Sequence, residues 1–138
     1  MTAPSPDPTA GPDTFQRLLA GVEPDAAVFR AALASAEPAT RRYVLLFSPR
    51  SGSTWLAFLL EQTGVLGRPF EYIHPDHVAG HARAAGTTDP AGLLAVLLRQ
   101  RKTPNGVFGI KTLAADIVRF GEAPFFAEFG GNTEFFCL

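Results

Sequence analysis

Cysteine is almost absent. The single Cys137 excludes an internal disulfide and suits a reducing compartment. A surplus of one charge is absent too. Twelve Lys and Arg stand against thirteen Asp and Glu, for a net charge of −1. This argues against a general nucleic-acid binder, which carries a basic surplus. It leaves room for a small anion held by a few local groups. No apolar run approaches the length of a membrane span. The opening MTAPSPDPTAGPDT lacks the basic and apolar regions of a secretory signal. With these classes set aside, the expectation is a cytoplasmic protein with no nucleic-acid partner and no membrane.

What is present fits one modest globular domain. The 138 residues are 46% hydrophobic and 18% charged, enough apolar content for a real core. Residues 1–13, rich in Pro, Ala, Thr and Asp, read as a disordered tail. Helical spacing of apolar residues follows over 14–20 and 25–36, with Pro24 suited to the start of the second segment. Both carry packing rather than chemistry. After a linker at 37–40, the continuous apolar run 43–47 predicts a strand buried on both faces. A helix is expected over 55–62, with Trp55, Leu56, Leu59 and Leu60 on one face and Gly64 as its stop. Residues 65–88 read as irregular and hold all three histidines.

Asp89-Pro90 signals the next helix, running to about Arg101. A strand at 107–111, short helices at 114–120 and 124–129, and a third strand at 133–138 complete the pattern. Strands alternating with helices predict an α/β fold, a parallel sheet with flanking helices.

The stretch most in need of explanation is Ser48-Pro49-Arg50-Ser51-Gly52-Ser53-Thr54, between the first strand and its helix. A strand, a tight loop and a helix make an anion site by geometry. The first helical amides have no intrahelical partners, and the helix dipole favours negative charge there. Gly52 lets the backbone approach a ligand closely. Arg50 adds a fork of charged donors suited to phosphate or sulfate. The plainer alternative is a helix capped by Ser51 or Ser53 with Arg50 in solvent. That alternative leaves the concentration of three hydroxyls, a glycine and an arginine in one turn unexplained. The loop has no Gly-Lys, so it is not the usual triphosphate loop, and G-x-G-x-x-G is absent. A clear magnesium-binding aspartate at a strand end, which a P-loop kinase would need, is absent as well.

Residues 48–55, with Thr63-Gly64-Val65-Leu66-Gly67-Arg68-Pro69-Phe70-Glu71-Tyr72 and Gly106-Val107-Phe108-Gly109-Ile110-Lys111, resemble the bacterial trehalose 2-sulfotransferase-like family. The resemblance covers roughly residues 42–138. It implies a P-loop-like sulfotransferase fold and 3′-phosphoadenosine 5′-phosphosulfate as donor substrate. It also implies a small-molecule carbohydrate acceptor, such as trehalose. By similarity, Arg50, Ser51, Gly52, Ser53 and Thr54 bind the 5′-phosphosulfate, Arg50 also neutralises charge on the bridging oxygen, and Glu71 is the catalytic base. An ion pair of Glu71 with Arg68 is the competing reading. Lys111, ending its strand, either approaches donor or acceptor or reaches solvent. His74 or His77 is placed in acceptor binding, and Tyr72 is either a sugar platform or a core contact. His74, Asp76, His77 and His81 have a spacing that could hold zinc, but Pro75 interrupts the helix this would need. No metal site is assigned.

Members of that family continue past a strand like 133–138 into an arginine and a serine that hold the 3′-phosphate. The expectation is therefore a tail and helical extension at 1–40 and the N-terminal part of a sulfotransferase domain at 41–138, truncated at the C-terminus. Phe135 and Phe136 are then expected to be poorly covered. A non-catalytic phosphate- or nucleotide-binding module is the alternative function. Relatives can be dimers, so a homodimer is left open.

Overall fold

The computed structural model describes residues 14–138. The expected tail at 1–13 lies outside the described residues. The chain opens with α1 (Phe15–Leu18) and α2 (Ala26–Ala34), followed by β1 (Arg41–Leu46) and α3 (Ser53–Gln62). Next come α4 (Val78–Ala85), α5 (Pro90–Gln100) and β2 (Val107–Thr112). The chain then runs through α6 (Ala114–Phe120), α7 (Glu122–Glu128) and β3 (Glu134–Cys137). Two helix starts are visible in the residues themselves. The Asp25 carboxylate accepts from the amides of Ala27 and Val28, and the Asp89 carboxylate from that of Gly92 at 2.8 Å. Each satisfies amides that the helix cannot.

The three strands form a parallel sheet in the order β2-β1-β3. Side chains alternate across it. Val44, Phe108 and Ile110 point to one face and are wholly buried. There they join the main core with Leu93, Leu97, Phe125 and Phe129. Helix α5 packs against α2, α4 and α7, so its leucines are buried nearly all round. Phe15 of α1 meets Phe120 of α6 edge-on, ring centres 4.9 Å apart. The N-terminal helices therefore share the core of the sheet's helices.

Tyr43, Leu45 and Lys111 point to the other face, which α3 covers in part. The expected apolar face of α3 is only partly right. Ser53 and Ala57 are buried and Leu56 and Leu60 half-buried, whereas Trp55 and Leu59 are exposed. Small residues let the helix lie close to the strands, and the large ones are turned out.

A second difference is α4, which falls in the stretch expected to be irregular. Its segment VAGHARAA is weakly apolar, and the helix is held by burying Val78, Ala82 and Ala85. Tertiary packing here outweighs a faint local pattern. β3 follows the expectation closely: all four residues are exposed, Phe135 and Phe136 included.

Candidate active site

The site is built at the C-terminal end of the sheet, where parallel α/β sheets place their ligands. β1 ends at Leu46 and the chain turns through Ser48–Gly52 into α3. The Ser51 amide donates to the Ser48 carbonyl at 3.2 Å. Arg50 then takes a left-handed conformation, φ 64°, alone in this among the described non-glycine residues. Such a φ costs about 1–3 kcal/mol for a residue with a side chain and is commonly kept for function. Gly52 follows at φ 80° and is the N-cap of α3. With no side chain, it cannot satisfy the first helical amides, and no other side chain caps them. Capping by Ser51 or Ser53 is thus not what the loop does. The amides are left for an external acceptor, with Arg50, Ser51 and Thr54 exposed beside them.

Lys111 does not reach solvent. It is 4% exposed, and its ammonium donates to Thr54 Oγ1 at 2.9 Å and lies 4.7 Å from the centre of the Phe47 ring. The same nitrogen is 3.8 Å from Glu71 Oε2. Glu71 is therefore drawn to Lys111, and its ion pair is with that residue rather than Arg68.

The backbone explains this meeting. The segment before Glu71 runs beside β2, where a Cβ on Gly67 would stand 2.9 Å from the Gly109 amide. Only glycine permits that approach. The Lys111 amide then donates to the Phe70 carbonyl at 3.1 Å, which sets Glu71 next to the Lys111 side chain. The Tyr43 hydroxyl, bonded to the Leu66 carbonyl, holds the same segment from the other end. Burial pushes that phenol up to about 12, so it stays a neutral donor.

His74 and Asp116 complete the group. The Asp76 amide donates to His74 Nδ1 at 3.0 Å. Asp116 sits in the first turn of α6, directly after β2, and is 1% exposed. One oxygen accepts from Arg119 at 2.7 Å and the other has no partner. Burial pushes this carboxyl above the usual range, against the pull of His74 and Arg119. Sequence reasoning missed Asp116. The i,i+3 spacing to Arg119 is visible in the sequence, but not the burial that makes it unusual.

His77 lies beside His74, ring centres 5.6 Å apart, and both remaining histidines pack on aromatic rings. The rings of His77 and Phe70 are 4.8 Å apart, and those of His81 and Tyr72 are 5.1 Å apart. The His74-x-x-His77-x-x-x-His81 spacing therefore does not gather into one site. Tyr72 is 2% exposed and stacked on Phe108, so it is a core residue and not a sugar platform. Phe70, 42% exposed, is the aromatic face next to Glu71.

A loop of free amides and an arginine, a buried lysine bonded to that loop, and a carboxylate 3.8 Å from the same lysine thus stand together at one end of the sheet. A family model for the Stf0 sulphotransferase family matches residues 42–123, more than half the chain. The chain belongs to the Stf0 sulphotransferase family. The match runs from the second residue of β1 into α7, so it contains the loop, Glu71, Lys111 and Asp116. The three-stranded parallel sheet with flanking helices is the α/β arrangement of a sulfotransferase. No curated protein and no solved structure matches this Stf0 chain. No helix among the described residues is long and apolar enough to cross a membrane.

Proposed function

We propose that this chain carries the donor-binding and base-bearing half of a reaction that moves a sulfuryl group from 3′-phosphoadenosine 5′-phosphosulfate to a carbohydrate hydroxyl. One observation carries the reading: the Lys111 ammonium touches Thr54 on the anion loop and lies 3.8 Å from Glu71. The same cation can thus face the group being transferred and orient the carboxylate that receives the acceptor proton.

In this scheme the amides and hydroxyls at 51–54 hold the 5′-phosphosulfate. The acceptor oxygen attacks sulfur while Glu71 takes its proton. The bond from sulfur to the bridging oxygen breaks, and the electron pair leaves on adenosine 3′,5′-bisphosphate. Arg50 and Lys111, already in place, offset the charge that grows on that oxygen. Phe70 offers an apolar face to the sugar ring. Residues 41–138 supply this machinery, and 1–40 are an N-terminal extension. A cytoplasmic setting and a small-molecule partner belong to the same reading, as does a homodimer, which sedimentation would test.

The test is transfer of radiolabelled sulfate from the donor to a disaccharide, trehalose first, with Glu71→Gln and Arg50→Ala alongside. Both variants are expected to abolish transfer. Unchanged rates in both would overturn the scheme. Calorimetric binding of adenosine 3′,5′-bisphosphate without any transfer would favour the non-catalytic module instead.

A further inference from the structure

The proposed reaction leaves His74 without a task and Glu71 without a fixed direction. Lys111 attracts the Glu71 carboxylate, but at 3.8 Å it stands beyond hydrogen-bond range, with its ammonium engaged by Thr54. A charge at that distance draws the carboxylate without choosing which oxygen faces the acceptor. Active-site bases are commonly oriented by a third group that hydrogen-bonds them.

The backbone holds His74 in place for this. Its amide donates to the Glu71 carbonyl at 3.2 Å, which closes the turn between the two residues. Its carbonyl accepts from the amides of His77 and Val78 at 2.9 Å, where α4 begins. The ring is held as well. Nδ1 accepts the Asp76 amide at 3.0 Å, which takes a lone pair. A neutral imidazole with Nδ1 as acceptor carries its proton on Nε2, so Nε2–H is a donor.

The neighbours of the ring are short of a donor. One ring nitrogen of His74 and one carboxylate oxygen from each of Glu71 and Asp116 lie within 4.8 Å of one another. Asp116 is 1% exposed, and its Oδ2 has no partner. Lys111 stands against Glu71, and Arg119 against Asp116 at 2.7 Å, so the four charges balance without a further ion. A neutral N–H is the complement of two such carboxylates. Glu71 and His74 keep 24% and 27% of their side chains exposed and can turn, whereas Asp116 is enclosed.

We propose that His74 is a positioning residue for the base: its Nε2–H bonds one oxygen of Glu71 and leaves the other to receive the acceptor proton. Asp116 is a fixed negative charge that keeps the N–H edge of the ring turned inward. Contacts of this kind commonly tighten to hydrogen-bond length once substrate binds. The role rests on the proposed reaction; the tautomer of His74 does not.

The experiment compares two variants with the wild type in sulfate transfer to trehalose. His74→Asn keeps an acceptor near Nδ1 and has nothing at Nε2. His74→Gln places an NH2 near Nε2. The first should lower kcat about 10–10²-fold with KM for the nucleotide donor unchanged, and the second should restore most of the rate. Equal losses in both, or none in either, overturn the role. Nitrogen NMR of the labelled ring reads the tautomer in the whole chain without any transfer. A proton on Nε2 is expected, protected from exchange when adenosine 3′,5′-bisphosphate and trehalose are added to the wild type but not to Glu71→Ala. A proton on Nδ1, or no protection, sinks the inference even in a chain that transfers nothing. Full activity in Glu71→Gln would remove the base itself and leave only the tautomer standing. An inactive Glu71→Gln beside a fully active His74→Asn would keep the base and remove its positioning residue.

Discussion

The two faces of the sheet are built for different ends. On one, Val44, Phe108 and Ile110 are fully buried under helices α4 to α7 and the N-terminal pair. On the other, a single helix lies over the strands and leaves an apolar groove of about 390 Å³ lined by Tyr43, Leu45, Leu56, Leu60 and Phe136. Trp55 and Phe58 of that helix are 69% and 56% exposed. Stability is concentrated on the first face. The loop at 48–54, the free amides and the Lys111 side chain belong to the second, which one helix rather than several covers. The lesson is that a left-handed arginine and uncapped helix amides, each costly alone, can be carried where the core does not depend on them.

The largest test of this contrast is a matched pair of truncations. Phe108→Ala should cost about 3–5 kcal/mol in urea unfolding. Phe58→Ala on the open side should stay within about 0.5 kcal/mol. Equal losses would erase the distinction between the faces.

Next is Lys111→Met, which keeps the aliphatic length and removes the charge. On the proposed scheme it should lower kcat about 10²–10³-fold, the usual cost of losing one stabilising donor. A rate near wild type would show that the buried ammonium is structural.

A smaller effect, of opposite sign in stability and binding, is expected of Arg50→Gly. Glycine accepts φ 64° without strain, so unfolding should become harder by about 1 kcal/mol. Affinity for adenosine 3′,5′-bisphosphate should fall about tenfold with the lost charged donor.

The smallest effect concerns His81 on the core side. Burial, then the charges of Arg101 and His77, holds its pKa below the ordinary value. The unfolded chain therefore takes up the proton first. Stability is full above about pH 6.5 and declines as pH falls toward the folded value. Urea midpoints at pH 7.5 and 5.5 should differ less in His81→Gln than in the wild type.

Much of this was legible in the residues. The runs 43–47 and 107–111 became strands, and Asp89 became a cap, because each signal is local; at the second helix the cap is Asp25 and Pro24 stands before it. The turn at 48–54 from strand into helix was legible for the same reason: its glycine and the amides after it act within one turn. Lys111 was not, since either end of the choice between solvent and site fits a lysine at a strand end. Its partner Thr54 lies 57 residues away. Helix α4 escaped because small residues make a core contact only when something is packed against them. Asp116 escaped because burial of one acid in a seven-residue helix leaves no periodic trace.

The bond from the Lys111 amide to the Phe70 carbonyl has a mechanical consequence. Lys111 touches the loop at 48–54 with its side chain and anchors the segment that carries Glu71 with its main chain. One residue thus joins the two segments, by its main chain on one side and its side chain on the other. A displacement of β2 at Lys111 would therefore be felt at Phe70 and at Thr54 together.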